Sequence, residues 1–231
     1  MQSAIRCENV HVALGGQEIL RGVSLDIPRG CLLPMVGANG AGKTTLLKAM
    51  LGLVPIRQGR IVTPFAESRP GYVPQQKSID PIYPVSLRRI VEMGLYPRLG
   101  WWRRPSPADR AVVDAVLENL GLAAHQHKTF GALSGGMKQK ALLARAFVSG
   151  ADIVLLDEPT SELDEPTEAE VLGHLKRLVA EEGRTVVFVH HGLHQAAALA
   201  EQLCWVEHGL ARMVASADAL SRSNGVTGGR P

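Results

Sequence analysis

The chain has 231 residues, 45% of them hydrophobic and 20% charged, with a formal net charge of +3. That length and apolar fraction suffice for one substantial buried core, and so slight a basic excess gives no electrostatic argument for nucleic acid as a partner. The three cysteines, Cys7, Cys31 and Cys204, stand far apart without a CxxC pair, which favours reduced thiols in an interior over a disulfide framework.

In chain order, the opening MQSAIRCENV lacks the apolar centre of a secretory signal. Nowhere does an apolar run reach the roughly 18–20 residues of a membrane span, so a chain working at a membrane would be held there by another. AIRCENVHVAL and QEILRGVSLDI alternate enough to predict two strands. CLLPMV predicts a short strand that runs straight into the glycine-rich turn GANGAGKT and then the helix-forming TLLKAMLGL. From about residue 77 to 150 the pattern predicts helices and proline-rich joints and no strand. In SPADRAVVDAVLENLG, Ser106 can cap, Pro107 suits the first position, and Val112, Val113, Val116, Leu117 and Leu120 form an apolar face. DIVLL and TVVFV are continuously apolar, as strands covered on both faces of a parallel sheet are. Between them Val171, Leu172, Leu175, Leu178 and Val179 recur at helical spacing, with Pro166 in the first turn and Gly183 past the end. The closing SRSNGVTGGRP has the composition of a disordered tail. The prediction is one α/β domain over 1–231. Its core covers about 1–76 and 151–215, its helical subdomain about 77–150, and its tail 216–231.

Two motifs point to phosphate. Gly37 to Thr44 fits GxxxxGK[ST] between an apolar strand and a helix. Such glycines let main-chain N–H groups turn inward at the positive end of a helix. Lys43 adds charge at the β- and γ-phosphates, and the Thr44 hydroxyl can hold Mg²⁺. Read alone, the stretch is a turn that joins strand to helix. In IVLLDEPT, Asp157 at a strand end is suited to orient Mg²⁺ through its waters, and Glu158 could polarise a water for attack. Alone, that pair merely ends a strand and caps the next turn. Together the two motifs make a nucleoside-triphosphate site. A third stretch, FGALSGGMKQKALLARAF, opens a helix at Ser134 with Gly135 and Gly136. Each glycine costs roughly 1 kcal/mol against alanine in a helix, so something must approach that backbone closely.

With these motifs the sequence resembles the ATP-binding-cassette (ABC) ATPases. LSGGM (133–137) is similar to the family signature, usually LSGGQ; YVPQQ puts Gln75 at the Q-loop place; SELD (161–164) resembles the D-loop; and VHHGL puts His191 at the switch-histidine place. The likeness runs from about Ile5 to Ala215. It implies a P-loop NTPase (RecA-like) core with an N-terminal antiparallel β subdomain and an inserted α-helical subdomain. It also implies ATP and Mg²⁺ as cofactors, and two copies bound head to tail with ATP between them. On that reading Gly37, Asn39, Gly40, Gly42, Lys43, Thr44 and Thr45 of one copy face Ser134, Gly135 and Gly136 of the other. Glu158 is the general base, His191 contacts the γ-phosphate, Gln75 approaches Mg²⁺ and the attacking water, and Asp164 touches the opposing copy. Mg²⁺ falls to Thr44, Gln75 and Asp157.

Four positions depart from the family pattern. Leu14 stands where an aromatic residue stacks on adenine, Met137 replaces the signature glutamine, Pro34 interrupts a buried strand, and Gly192 follows His191 where Asp is common. HHGLH invites a zinc reading through His190, His191 and His194, but no fourth ligand is near. Trp101–Arg104 (WWRR) is either a partner-facing patch or local packing. The stretch from Gln75 to Arg110, with Asp80, Pro84, VEMGLYPR and GWWRRPSPADR, resembles ATPase subunits of manganese, zinc or iron uptake systems. That implies membrane permease subunits and an extracytoplasmic substrate-binding protein as partners. It places the chain in the cytoplasm, on the inner face of the membrane. Iron-chelate or haem transport by the same machinery is the alternative. A non-transport ABC ATPase on nucleic acid would need a second cassette or a basic face, and a P-loop kinase or GTPase has no use for the LSGG segment.

Overall fold

The computed structural model describes residues 2–75, 84–100, 102–161 and 163–226. Among them the strands are β1 (Ser3–Leu14), β2 (Gln17–Pro28), β3 (Leu32–Val36), β4 (Gln58–Val62), β5 (Gly71–Val73), β6 (Ile153–Leu156), β7 (Thr185–Val189), β8 (Gln202–Glu207) and β9 (Leu210–Ala215). The α-helices are α1 (Lys43–Met50), α2 (Leu87–Glu92), α3 (Tyr96–Leu99), α4 (Pro107–Asn119), α5 (Gly135–Val148), α6 (Glu165–Ala180), α7 (Leu193–Leu199) and α8 (Ser216–Val226). The chain divides into two compact units, Met1–Ser68 with Leu175–Pro231, and Arg69–His174.

In the first unit β1 is antiparallel to both its neighbours, in the order β2-β1-β4. Ile5, Cys7, Val10 and Val12 are buried opposite Ile27, Leu25, Val23 and Leu20, and such cross-strand pairs fix the register. The alternation slips by one residue at a bulge, where Asn9 takes a left-handed φ of 48° and its N–H donates to Ser24 Oγ at 3.1 Å. The same unit holds β3 parallel to β7 and to β8, with β9 antiparallel to β8. Leu33, Met35, Val36, all of Val186–Val189, Leu203, Cys204 and Val206 are buried, which is why these strands read as continuous apolar runs.

The register accounts for Pro34. The Cys31 and Met35 carbonyls accept from Val186 and His190 on the β7 side. By the two-residue period Pro34 therefore turns its nitrogen toward β8, where the ladder begins only at Met35 opposite Cys204. The missing donor costs one bond at a ladder end.

Residues 216–226 are helical where the composition predicts a tail. Ala219 is fully buried with Val36, Ala196 and Leu203, Ser216 N–H donates to the Glu201 carbonyl at 2.9 Å, and its hydroxyl donates to the Ala200 carbonyl. One small apolar residue in the right register anchors the first turns of α8. The cysteines are free thiols; burial pushes Cys7 and Cys204 up to about 12 and Cys31 to about 11, far from thiolate at neutral pH.

In the second unit β5 and β6 are parallel, and the described residues from 84 to 150 form helices and no strand. Ser106 caps α4 in a capping box with Asp109, and Pro107 takes the first position. Val113, Leu117 and Leu120 are buried while Val112 is exposed, so the apolar face is narrower than the full set of predicted positions. Trp102 is 96% exposed and so does not pack within the helical region. Trp101 and Asp80 lie outside the described residues.

Candidate active site

The glycine-rich loop leaves β3 and enters α1. Gly37, Gly40 and Gly42 all have positive φ, at 150°, 78° and 106°. A Cβ on Gly37 would fall 1.9 Å from the Val206 carbonyl oxygen, so only glycine lets the loop turn this close to β8. Gly42 caps α1 without a side-chain hydrogen bond, at the positive end of a helix, the kind of place where anions bind. Lys43 is buried and curls back over the loop, its Nζ donating to the Gly37 carbonyl at 2.8 Å and the Ala38 carbonyl at 2.9 Å. Thr44 and Thr45 follow in the first turn, half-buried; Asn39 and Gly40 are exposed at the loop's crest.

His191 stands just past β7. Because β3 and β7 are parallel neighbours, the loop and His191 emerge at the same carboxyl edge, where open α/β sheets place ligands. His190 is buried, its N–H donating to the Met35 carbonyl at 3.0 Å and its ring Nε2–H to Gln195 Oε1 at 3.2 Å. That Gln195 oxygen lies 2.3 Å from where a Cβ on residue 192 would be, so a larger residue there would have to move the Gln195 side chain. His191 and His194 are exposed. Among the described residues no group of three or more His, Cys, Asp or Glu could hold a metal ion.

Within Arg69–His174 the remaining residues form two groups. Gln75 follows β5; Asp157 and Glu158 follow β6, again at the carboxyl ends of parallel strands. The Asp157 N–H donates to the Val73 carbonyl at 2.9 Å and the residue is buried. Gln75 Nε2 donates to Glu158 Oε2 at 2.8 Å. Glu158 sits at φ 52°, a left-handed conformation that costs a non-glycine residue on the order of 1–2 kcal/mol. Pro159, next in the chain, disfavours the right-handed alternative for it. Sequence reasoning missed Gln139, which is 1% exposed and donates from Nε2 to the Pro159 carbonyl at 2.9 Å. Its signal was present: Gln139 shares the i, i+3, i+4, i+7 stripe with Leu142, Leu143 and Ala146, a polar residue on the buried face of α5.

The second group surrounds a cleft of about 430 Å³ lined in part by Ser134, Gly136, Met137, Lys140, Leu163 and Asp164. Ser134 caps α5, its Oγ accepting from the Met137 N–H at 3.3 Å, with Gly135 exposed beside it. Asp164 Oδ1 accepts from the Thr167 N–H at 3.2 Å at the start of α6, and the Thr167 side chain first, with that N–H second, holds its carboxyl below its ordinary value. Neither Gln75 nor Glu158 lines this cleft. The Ser134–Gly136 segment and the Gln75–Glu158 pair are distinct places in one unit.

The donors fit the expected groups. The Gly37–Lys43 loop brings main-chain N–H groups and the Lys43 ammonium together, chemistry suited to phosphate. Within Arg69–His174 the Asp157 carboxylate and Gln75 amide oxygen, and in the other unit the Thr44 hydroxyl, are each the hard oxygen donor type that Mg²⁺ prefers. No helix among the described residues is long and apolar enough to cross a membrane.

Residues 20–161 match the ABC transporter family. The manganese transport system ATP-binding protein MntB of Bacillus subtilis is 40% identical over 83% of this chain and 78% of its own. The zinc transport system ATP-binding protein TroB of Treponema pallidum is 36% identical over 84% and 74%. Among solved structures, the dimeric bacterial ABC transporter cassette MJ0796 superposes with a TM-score of 0.81 at 25% identity, covering 92% of this chain and 98% of that one. The chain thus belongs to the ABC transporter family as an ATP-binding subunit.

Proposed function

We propose that this chain hydrolyses ATP to drive import of a transition-metal ion, manganese, zinc or iron, through separate membrane permease subunits. The observation carrying this reading is the 40% identity, across most of both chains, with a manganese transport ATP-binding protein. An extracytoplasmic substrate-binding protein delivers the ion, and the permease holds this chain at the inner face of the membrane.

The chain works as a head-to-tail pair, an arrangement supported by the dimeric state of MJ0796 and by the separation of the Ser134 cleft from Glu158. Gly37, Asn39, Gly40, Gly42, Lys43, Thr44 and Thr45 wrap the phosphates of one nucleotide. Ser134 Oγ and the N–H groups of Gly135 and Gly136 in the second copy complete the shell around its γ-phosphate. Thr44, Asp157 and Gln75 would hold Mg²⁺, which would supply positive charge against the phosphates. Glu158 takes the proton of the attacking water, Gln75 orients that carboxylate, and His191 contacts the γ-phosphate. Asp164 meets the opposing copy. Once the γ-phosphate is cleaved, what both copies bind is gone and the pair opens.

The test is whole-cell metal content by elemental mass spectrometry, with and without the gene, in metal-poor growth. A selective fall in manganese, zinc or iron is expected, restored by the gene and not by its Lys43→Ala form. An unchanged profile would overturn metal as the cargo.

A further inference from the structure

We propose that Gln139 is a positioning residue that ties Glu158 to the LSGG helix, so that closure around a nucleotide in the second copy sets the general base of this one. The inference rests on the roles given above to Glu158 and Ser134–Gly136. Three observations within Arg69–His174 carry it. Gln139 is buried, yet it spends its amide on a main-chain carbonyl 20 positions along the chain, Pro159 at 2.9 Å. Pro159 has no N–H, so that carbonyl is its one main-chain polar group and the only main-chain handle the side chain can grip. The residue before it, Glu158, is held at a left-handed φ of 52°, a conformation that persists only where the surroundings over-determine it.

Glu158 is therefore gripped at two points. Gln75 holds its carboxylate at 2.8 Å, and Gln139 holds the turn on which it stands. Gln139 is five residues from Ser134, on the helix that Ser134 caps. An α-helix is stiff over so short a length, so a shift of Ser134 toward a nucleotide carries the Gln139 amide with it. The Pro159 carbonyl follows, and with it the turn bearing Glu158. The bond links the shell that binds one nucleotide to the base that acts on the other.

Two substitutions separate this role from packing. Gln139→Met keeps length and volume but has no donor. Gln139→His keeps an N–H at the ε position. In the full-length chain, Gln139→Met should lower kcat about tenfold or more with KM for ATP unchanged. ATP should still trap a dimer of the Glu158→Gln, Gln139→Met double variant, because binding does not need the base. Gln139→His should recover most of the kcat. A kcat for Gln139→Met within twofold of wild type would overturn the proposal. So would kcat, ATP binding and the thermal midpoint falling together in both variants, the mark of a merely structural residue. If Glu158→Gln alone turns over at the normal rate, it is the assignment of the base that fails instead.

Discussion

The Gln75 amide donates to the Glu158 carboxylate over 2.8 Å, joining the residue after β5 to the residue after β6. The bond holds one carboxylate oxygen of Glu158 in place. On the proposed role of Glu158 as base, Glu158→Gln removes the proton acceptor and keeps the shape. Its expected effect is a fall in turnover of roughly 100-fold or more with ATP still bound, so that an ATP-loaded dimer accumulates. Gln75→Ala should lower kcat less, about tenfold, with little change in KM. Steady-state ATPase rates and light scattering in ATP measure both, and normal turnover in Glu158→Gln would remove that residue as base.

Gly37 and Gly40 share a loop and a positive φ, but differ in surroundings. A Cβ at Gly37 meets the Val206 carbonyl oxygen at 1.9 Å, while one at Gly40 meets nothing within 4 Å. Gly37→Ala must push main chain off main chain and should cost about 3 kcal/mol or more. Gly40→Ala bears only the left-handed backbone cost, on the order of 1 kcal/mol. Urea unfolding of the two variants beside wild type checks the order; equal losses would mean that β8 yields to the loop.

Much of this was legible because local chemistry and tertiary role coincide. The Gly37–Thr44 loop, the apolar run ending at Asp157 and the Ser134 cap each carry residue types that few other structures require. β4 was hidden because its residues are mostly exposed, so an edge strand shows no alternation. Gln139 was hidden between Lys138 and Lys140, where a polar triplet reads as a solvated face. The left-handed turn at Glu158 has no one-letter sign, and the helix at 216–226 depends on Ala219 meeting partners nearly two hundred positions away at Val36. Apart from Gln139, whose spacing with Leu142, Leu143 and Ala146 did mark it, what was missed depends on who the neighbours are, which spacing along the chain does not record.

Asp109 makes α4 sensitive to acid. Its carboxylate accepts from the Ser106 hydroxyl at 2.7 Å and the Ser106 N–H at 2.8 Å, and it pairs with Arg98. Those contacts, the hydroxyl first, hold its pKa down to about 2. The folded chain therefore binds fewer protons here than the unfolded chain. The stabilisation is complete above about pH 4 and is lost as pH falls toward 2. Asp109→Asn should lower the thermal midpoint at neutral pH and flatten the decline between those values. Parallel acid declines in the two proteins would assign the sensitivity to other carboxylates.

Leu14 ends β1 with 42% of its surface exposed, and by the family resemblance we propose that it stands where an aromatic ring would stack on adenine. An aliphatic side chain offers area but no π face, and a base stacked on an aromatic ring is worth about 1–3 kcal/mol. The phosphate contacts proposed for Lys43 and its loop do not depend on Leu14. Binding should therefore rest on the phosphates, with ATP and GTP competing within a fewfold of each other. Leu14→Tyr should tighten ATP by about fivefold or more while leaving kcat unchanged, since nothing at Glu158 has moved. Competition binding of the two nucleotides to both proteins decides the matter. Strong preference for ATP in the wild type would place the adenine contact on some other side chain.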